Sequence, residues 1–158
     1  MKKGGGEVEL LWQRLEGRSG HEVGRLLLAQ AVDPLPEICY TDRGKPYFAD
    51  NSCHFSISHT KNHAFCAVSP RNIGMDAEES DRKINPRLAE TYLSSTEKAR
   101  FDAAEDKQAC LLRLWVLKES YAKLTGRGLG DYLKQTDFDP DDPRIQLIDS
   151  CYVAVMEE

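Results

Sequence analysis

The sequence predicts an α+β fold with antiparallel strands, and three observations carry that expectation. Phe55 and Ile57 alternate with Ser56 and Ser58, and two more short strand patterns follow across tight turns, which reads as an antiparallel meander. Residues 106–124 form one long run without a breaker, apolar on most of its circumference and stopped by Gly126, as expected of a largely buried helix. Residues 146–156 then supply one or two closing strands. With 158 residues the chain has the size of a single domain and can bury a proper core.

The elements follow in order. Residues 1–6 carry two lysines and three glycines without the apolar centre of a secretory signal, and are expected to be a frayed end. Residues 8–15 and 22–32 show two short helical patterns separated by Gly17, Ser19 and Gly20, with Asp33, Pro34 and Pro36 ending the second. Asp42, Arg43 and Gly44 make a turn before the strand around Phe55, which the alternation predicts to be half-buried. A tight turn at 60–62 leads to a returning strand at 64–68, and a turn at 70–72 leads to a third strand at 73–78. Asn85 before Pro86 is a cap and first-turn pair for a helix over 86–93. Ser94 with Glu97 three residues on forms a capping-box pattern for the next helix.

Composition removes several classes of function. Lys plus Arg number 21 against 26 Asp plus Glu, a net charge of −5, whereas a sequence-independent nucleic-acid binder needs a basic surface. No run approaches the ~20 apolar residues of a membrane span. The five cysteines, Cys39, Cys53, Cys66, Cys110 and Cys151, are odd in number and widely spaced, which suits reduced thiols in a cytoplasm.

Three features carry candidate chemistry. In a strand over Ile73-Gly74-Met75-Asp76-Ala77-Glu78, Asp76 and Glu78 share one face. Two carboxylates that close repel unless a cation sits between them, and oxygen donors with room for water suit Mg²⁺; a solvated strand face would present them equally. Within the buried helix, Trp115, Glu119 and Lys123 fall four apart on one face. Glu119 could supply a third oxygen to the ion and Lys123 a cation for an anionic substrate, the alternative being a surface ion pair worth ~0.2–0.5 kcal/mol. Ser58-His59-Thr60 at a strand end, with Lys45 in the earlier Gly44-Lys45-Pro46 turn, gathers donors suited to a phosphate.

Other constellations are weaker. Cys53, His54, His59, His63 and Cys66 are crowded enough to suggest zinc, but their spacing matches no zinc pattern and strand alternation sends Cys53 away from His54. Gly126, Gly128 and Gly130 follow a helix instead of joining a strand to one, so they support no phosphate loop. Cys53 beside His54 lacks a third group to make it a nucleophile.

Taken together and in order, Gly44-Lys45-Pro46, Phe55 through Thr60, Ile73 through Glu78, Leu93-Ser94-Ser95-Thr96-Glu97, and Trp115 through Lys123 followed by residues 126–129 resemble the 4'-phosphopantetheinyl transferases. The narrower resemblance is to the two-lobed surfactin-synthetase-activating type, because the Ser-His motif precedes Asp76. It covers roughly residues 25–129, with a further likeness at 152–156. It implies two small pseudo-related α/β lobes, approximately 1–71 and 72–158, holding a whole active site between them. The segment before Arg25 matches poorly, so the first lobe is expected to be shortened and to lack its opening strand and helix.

The resemblance implies that Asp76, Glu78 and Glu119 hold Mg²⁺, with Mn²⁺ as a substitute, against the pyrophosphate of coenzyme A. Lys123 would bind the same phosphate, and Lys45, Ser58 and His59 would meet the 3'-phosphate of the adenosine end. The implied reaction is attack by a carrier-protein serine on that pyrophosphate, transferring phosphopantetheine and releasing adenosine 3',5'-bisphosphate. Deprotonation of the serine falls to Glu119 or to a water on the ion. The implied partner is an acidic apo acyl or peptidyl carrier protein, of fatty-acid, polyketide or nonribosomal peptide synthesis. Arg82, Lys83, Arg87 and the apolar face of residues 86–93 are its expected docking surface, a solvated helix face being the alternative. A monomer or small homo-oligomer is expected, with neither a nucleic-acid nor a membrane partner. The competing reading is a non-catalytic module that binds coenzyme A or a carrier protein.

Overall fold

A computed structural model describes residues 6–158, so the frayed end expected for residues 1–6 falls, Gly6 apart, outside the described residues. The first half builds a three-stranded antiparallel sheet in the order β1 (Glu9–Arg14), β5 (His63–Ser69), β4 (His54–His59), with helix α1 (Gly20–Ala31) on one face. A separate hairpin, β2 (Ile38–Tyr40) and β3 (Pro46–Phe48), turns through residues 41–45. Ser19 caps α1 by accepting the Glu22 amide, and the apolar stripe Val23, Leu27 and Leu28 is buried against the sheet. Burial of each such side chain stabilises the lobe by ~1.5–3 kcal/mol.

Two expectations about this half are corrected. Residues 8–15 are a strand: β1 pairs along its whole length with β5, from Glu9 opposite Val68 to Arg14 opposite His63. A two-turn helix is marginal on its own, and sheet pairing satisfies the same backbone groups at once. The first half therefore has both an opening strand and an opening helix. The strand at 54–59 is also not half-buried. Phe55 packs toward the α1 core, while Ser56 and Ser58 are buried on the opposite face.

The second half holds the sheet β6 (Ile73–Glu79), β8 (Cys151–Glu157), β7 (Ile145–Ile148), again antiparallel, with helices α2 (Arg87–Tyr92), α3 (Ser95–Ala103) and α4 (Lys107–Thr125). The meander is thus broken: β6 pairs with β8, not with β5. Its other edge meets β4, where serine hydroxyls replace a backbone ladder. Ser56 Oγ accepts the Met75 amide at 3.0 Å, and Ser58 Oγ accepts the Ala77 amide at 3.2 Å. Phe65, Ala67, Ile73, Met75, Ala77 and Val153 form the core between the two sheets.

The local helix signals hold for α3 and α4, whereas α2 starts one residue later than expected, with Pro86 in the cap position and Asn85 Oδ1 accepting the Arg87 amide. The Ser94 and Glu97 capping box is formed. Glu97 then continues inward to meet Lys118 Nζ at 2.5 Å with both side chains fully buried, and Lys118 also donates to the carbonyls of Leu133 and Thr136. Helix α4 ends at Gly126, whose φ of 70° is the left-handed conformation that glycine adopts without strain. It rests on β6 at Gly74, where a Cβ would lie 2.2 Å from the Ser120 carbonyl oxygen and 2.3 Å from the Leu124 nitrogen. The apolar side of α2 is turned into the core through Ala89, with Leu93, Leu88 and Tyr92 packed there too. It offers no apolar docking face, although Arg82, Lys83 and Arg87 are exposed.

Candidate functional site

Gly74 lets α4 lie directly on β6, and this close approach sets Asp76 and Glu78 beside Glu119 and Lys123. Asp76 is buried in the seam. Its Oδ1 accepts from Lys123 Nζ at 3.0 Å and from Ser58 Oγ at 3.1 Å. Its Oδ2 is buried with no hydrogen-bond partner among the described residues. A buried carboxylate oxygen without a partner is costly, and a cation is the species that would satisfy it.

The surrounding charges point the same way. Burial first and the Asp76 charge second push the Glu119 carboxyl up to about 7. Burial and Asp76 likewise raise Glu78, although Arg82 Nη1 donates to Glu78 Oε1 at 2.7 Å. These are the responses of buried carboxylates whose mutual repulsion Lys123 and Arg82 only partly offset. Oxygen donors, crowding and an orphaned oxygen fit a hard divalent cation. In this arrangement the donor atoms of Asp76, Glu78 and Glu119 do not all lie within 4.8 Å of one another.

A cleft of about 290 Å³ opens on one side of this seam. Arg43, Lys45, Pro46 and Ile57 line it from the first half, and Glu119, Lys123, Gly126 and Leu129 from the second. A second depression holds His59, Glu78 and Arg82. The fold therefore brings Asp76, Glu78, Glu119 and Lys123 together but does not bring Lys45, Ser58 and His59 to one pocket. Lys45 Nζ donates to Asn72 Oδ1 at 2.7 Å and to the Leu124 carbonyl at 2.8 Å, a cation closing the C-terminal end of α4. Burial pulls its ammonium below the usual value. Ser58 is spent on Asp76 and Ala77, and His59 is exposed.

Sequence reasoning missed Arg43, which lines the cleft and donates to the Arg127 carbonyl at 3.1 Å; its place beside Gly44-Lys45 was the available signal. It also missed Ser56, the partner of Ser58 in joining β4 to β6. The zinc constellation does not form. His63 meets Glu79 and Asp149 instead, at 2.7 and 2.8 Å. No helix among the described residues is long and apolar enough to cross a membrane.

Comparison of the sequence with known proteins identifies a family. The 4'-phosphopantetheinyl transferase superfamily model matches residues 72–151, half of the chain, including β6 and α4. The 4'-phosphopantetheinyl transferase AcpT of Escherichia coli K12 is 35% identical over 108 residues, covering 65% of this chain and 55% of the relative. AcpT of Salmonella typhimurium is 33% identical over 114 residues, covering 69% and 59%. The 4'-phosphopantetheinyl transferase Sfp of Bacillus subtilis is 36% identical over 89 residues, covering 54% and 39%. The chain thus spans about half the length of the curated relatives it matches. With the matched residues running through β6 and α4, the two elements that assemble the carboxylates and Lys123, the chain belongs to the 4'-phosphopantetheinyl transferase superfamily.

Proposed function

We propose that this chain transfers the 4'-phosphopantetheine arm of coenzyme A to a serine of an apo acyl or peptidyl carrier protein, releasing adenosine 3',5'-bisphosphate. The observation that carries this reading is Asp76 Oδ2, buried beside Glu119 and Lys123 without a hydrogen-bond partner among the described residues, in a chain of this family. Asp76, Glu78 and Glu119 would hold Mg²⁺, or Mn²⁺ in its place. When bound, the ion offsets the charge that builds on the pyrophosphate oxygens.

The chain's own residues do the rest. Lys123 faces the cleft and is the cation nearest Asp76, placed to exchange that carboxylate for a pyrophosphate oxygen. Glu119 lines the cleft and is the carboxylate placed to accept the serine proton, the role of a general base. His59 is open to the adenosine 3'-phosphate, whereas Lys45 and Ser58 reach it only by giving up a protein partner. Attack transfers the phosphoryl-pantetheine group to the serine oxygen and leaves the bisphosphate as the departing group.

An acidic carrier suits the exposed Arg82, Lys83 and Arg87. The cleft is lined from both halves of one chain, so a monomer suffices. The free cysteines suit a cytoplasmic setting. Chromatographic detection of adenosine 3',5'-bisphosphate tests the reading. It should accumulate with coenzyme A, Mg²⁺ and an apo carrier, and not with the same carrier already loaded. A module that only binds coenzyme A would release none in either case.

A further inference from the structure

Beyond Glu78 on β6, a second cluster of donors closes the same seam. Among the described residues, His63, Glu79 and Cys151 are the one set of three ligand-type side chains whose donor atoms lie within 4.8 Å of one another. They come from β5, β6 and β8 and so from both sheets. Cys151 Sγ lies 3.3 Å from His63 Nδ1 and 3.4 Å from Glu79 Oε2, while Nδ1 is 2.7 Å from Glu79 Oε1. A tetrahedral Zn²⁺ holds neighbouring nitrogen, oxygen and sulfur donors roughly 3.3–3.6 Å apart. Both sulfur distances already meet that spacing, and with Glu79 Oε2 as the ligand His63 Nδ1 has to release its bond to the other oxygen, Oε1.

An independent feature supports a metal here. His63 Nε2 is 2.8 Å from Asp149 Oδ2, and Arg14 holds both Asp149 oxygens, at 2.6 and 2.8 Å. A carboxylate on the far nitrogen is the arrangement that fixes tautomer and ring orientation in metal-bound histidines. The same residues trace the order of a cysteine–histidine–acid nucleophile, but Cys151 is fully buried and its thiol is pushed up to about 12, by burial first and Glu79 next. No substrate reaches it, and it is not a thiolate at neutral pH.

We propose that His63 Nδ1, Glu79 and Cys151 Sγ form a structural site for a zinc-class divalent cation, with Asp149 orienting the imidazole. Sulfur and nitrogen donors favour such an ion over Mg²⁺, so this site is distinct in chemistry from the carboxylates beside α4. Binding releases the thiol proton and the proton shared between Nδ1 and Glu79. The ion then ties β5 of the first sheet to β6 and β8 of the second, and water from the adjoining depression at Arg14, Asn62 and Asp81 completes the tetrahedron.

The test uses the full chain, stripped of metal, titrated with Co²⁺ in saturating Mg²⁺ and followed by near-ultraviolet absorption. One Co²⁺ per chain should bind with a thiolate-to-metal charge-transfer band, and Zn²⁺ should displace it. Cys151→Ser should abolish the band, and Asp76→Ala should leave it intact. Asp149→Asn, a change in a turn that alters no ligand, should weaken Co²⁺ binding roughly 10- to 100-fold. Absence of the band in the unsubstituted chain overturns the site. So does a band that survives Cys151→Ser, or an affinity unchanged by Asp149→Asn.

Discussion

Ser58 donates its hydroxyl proton to Asp76 Oδ1 at 3.1 Å across the seam between the two sheets, and Ser58 Oγ in turn accepts the Ala77 amide at 3.2 Å. One hydroxyl thus joins the halves of the molecule and holds the carboxylate at the centre of the proposed site. Ser58→Ala leaves a buried amide unpaired and removes one of the two donors to Asp76. It should cost about 1–3 kcal/mol of unfolding free energy, read by urea denaturation. A loss below about 0.5 kcal/mol would show that the seam does not depend on this bond.

Glu119 gives a pH prediction with a definite sign. Its carboxyl is pushed from an ordinary 4.5 up to about 7, by burial first and Asp76 next. Between those values the folded chain binds more protons than the unfolded one. The stabilising contribution is therefore complete below about 4.5 and is lost as pH rises through about 7. In chelator, unfolding free energy should fall across that window by at most about 3 kcal/mol, and Glu119→Gln should flatten the decline. A decline equally steep in the variant would assign it to other groups.

What was legible in the sequence is what depends on near neighbours. The capping box at Ser94 and Glu97, the length of α4 and its stop at Gly126 are local signals, and each formed as read. β1 reads as a helix in sequence because a short stretch of mixed apolar pattern suits either structure until its distant partner strand β5 decides. The face shared by Ser56 and Ser58 was visible, but not that β6 would cover it, since strand order is set by distant packing. In sequence Lys45 reads only as a cation suited to a phosphate. Its engagement with the Leu124 carbonyl, 79 residues away, has no sequence signature. In sequence His63 groups with Cys53, His54, His59 and Cys66, because its actual partners Glu79, Asp149 and Cys151 reach it through the fold alone.

Gly74 is predicted to be irreplaceable. A methyl group there meets backbone atoms of Ser120 and Leu124, which cannot swing aside as a side chain can. Gly74→Ala should cost at least about 3 kcal/mol, at the upper end of overpacking effects, and should move α4 off β6, separating Glu119 from Asp76. Thermal denaturation checks the first effect. A variant as stable as the parent would mean that the helix and strand are less tightly apposed.

Lys83 and Arg87 are exposed and outside both the cleft and the carboxylate cluster. Reversing both charges, Lys83→Glu with Arg87→Glu, should weaken the carrier at least 10-fold, about 1.4 kcal/mol, mainly through slower association at low salt. Coenzyme A affinity, followed by calorimetry, should stay the same. Equal loss of both affinities would remove these residues from the carrier surface.

The most direct measurement is intact-mass spectrometry of an apo carrier protein incubated with this protein, coenzyme A and Mg²⁺, beside an Asp76→Ala control. The account predicts that the carrier gains the mass of one phosphopantetheine arm on its serine, and that the control carrier does not. A carrier of unchanged mass, with several different apo carriers and with coenzyme A demonstrably bound, would contradict transfer and leave a binding module.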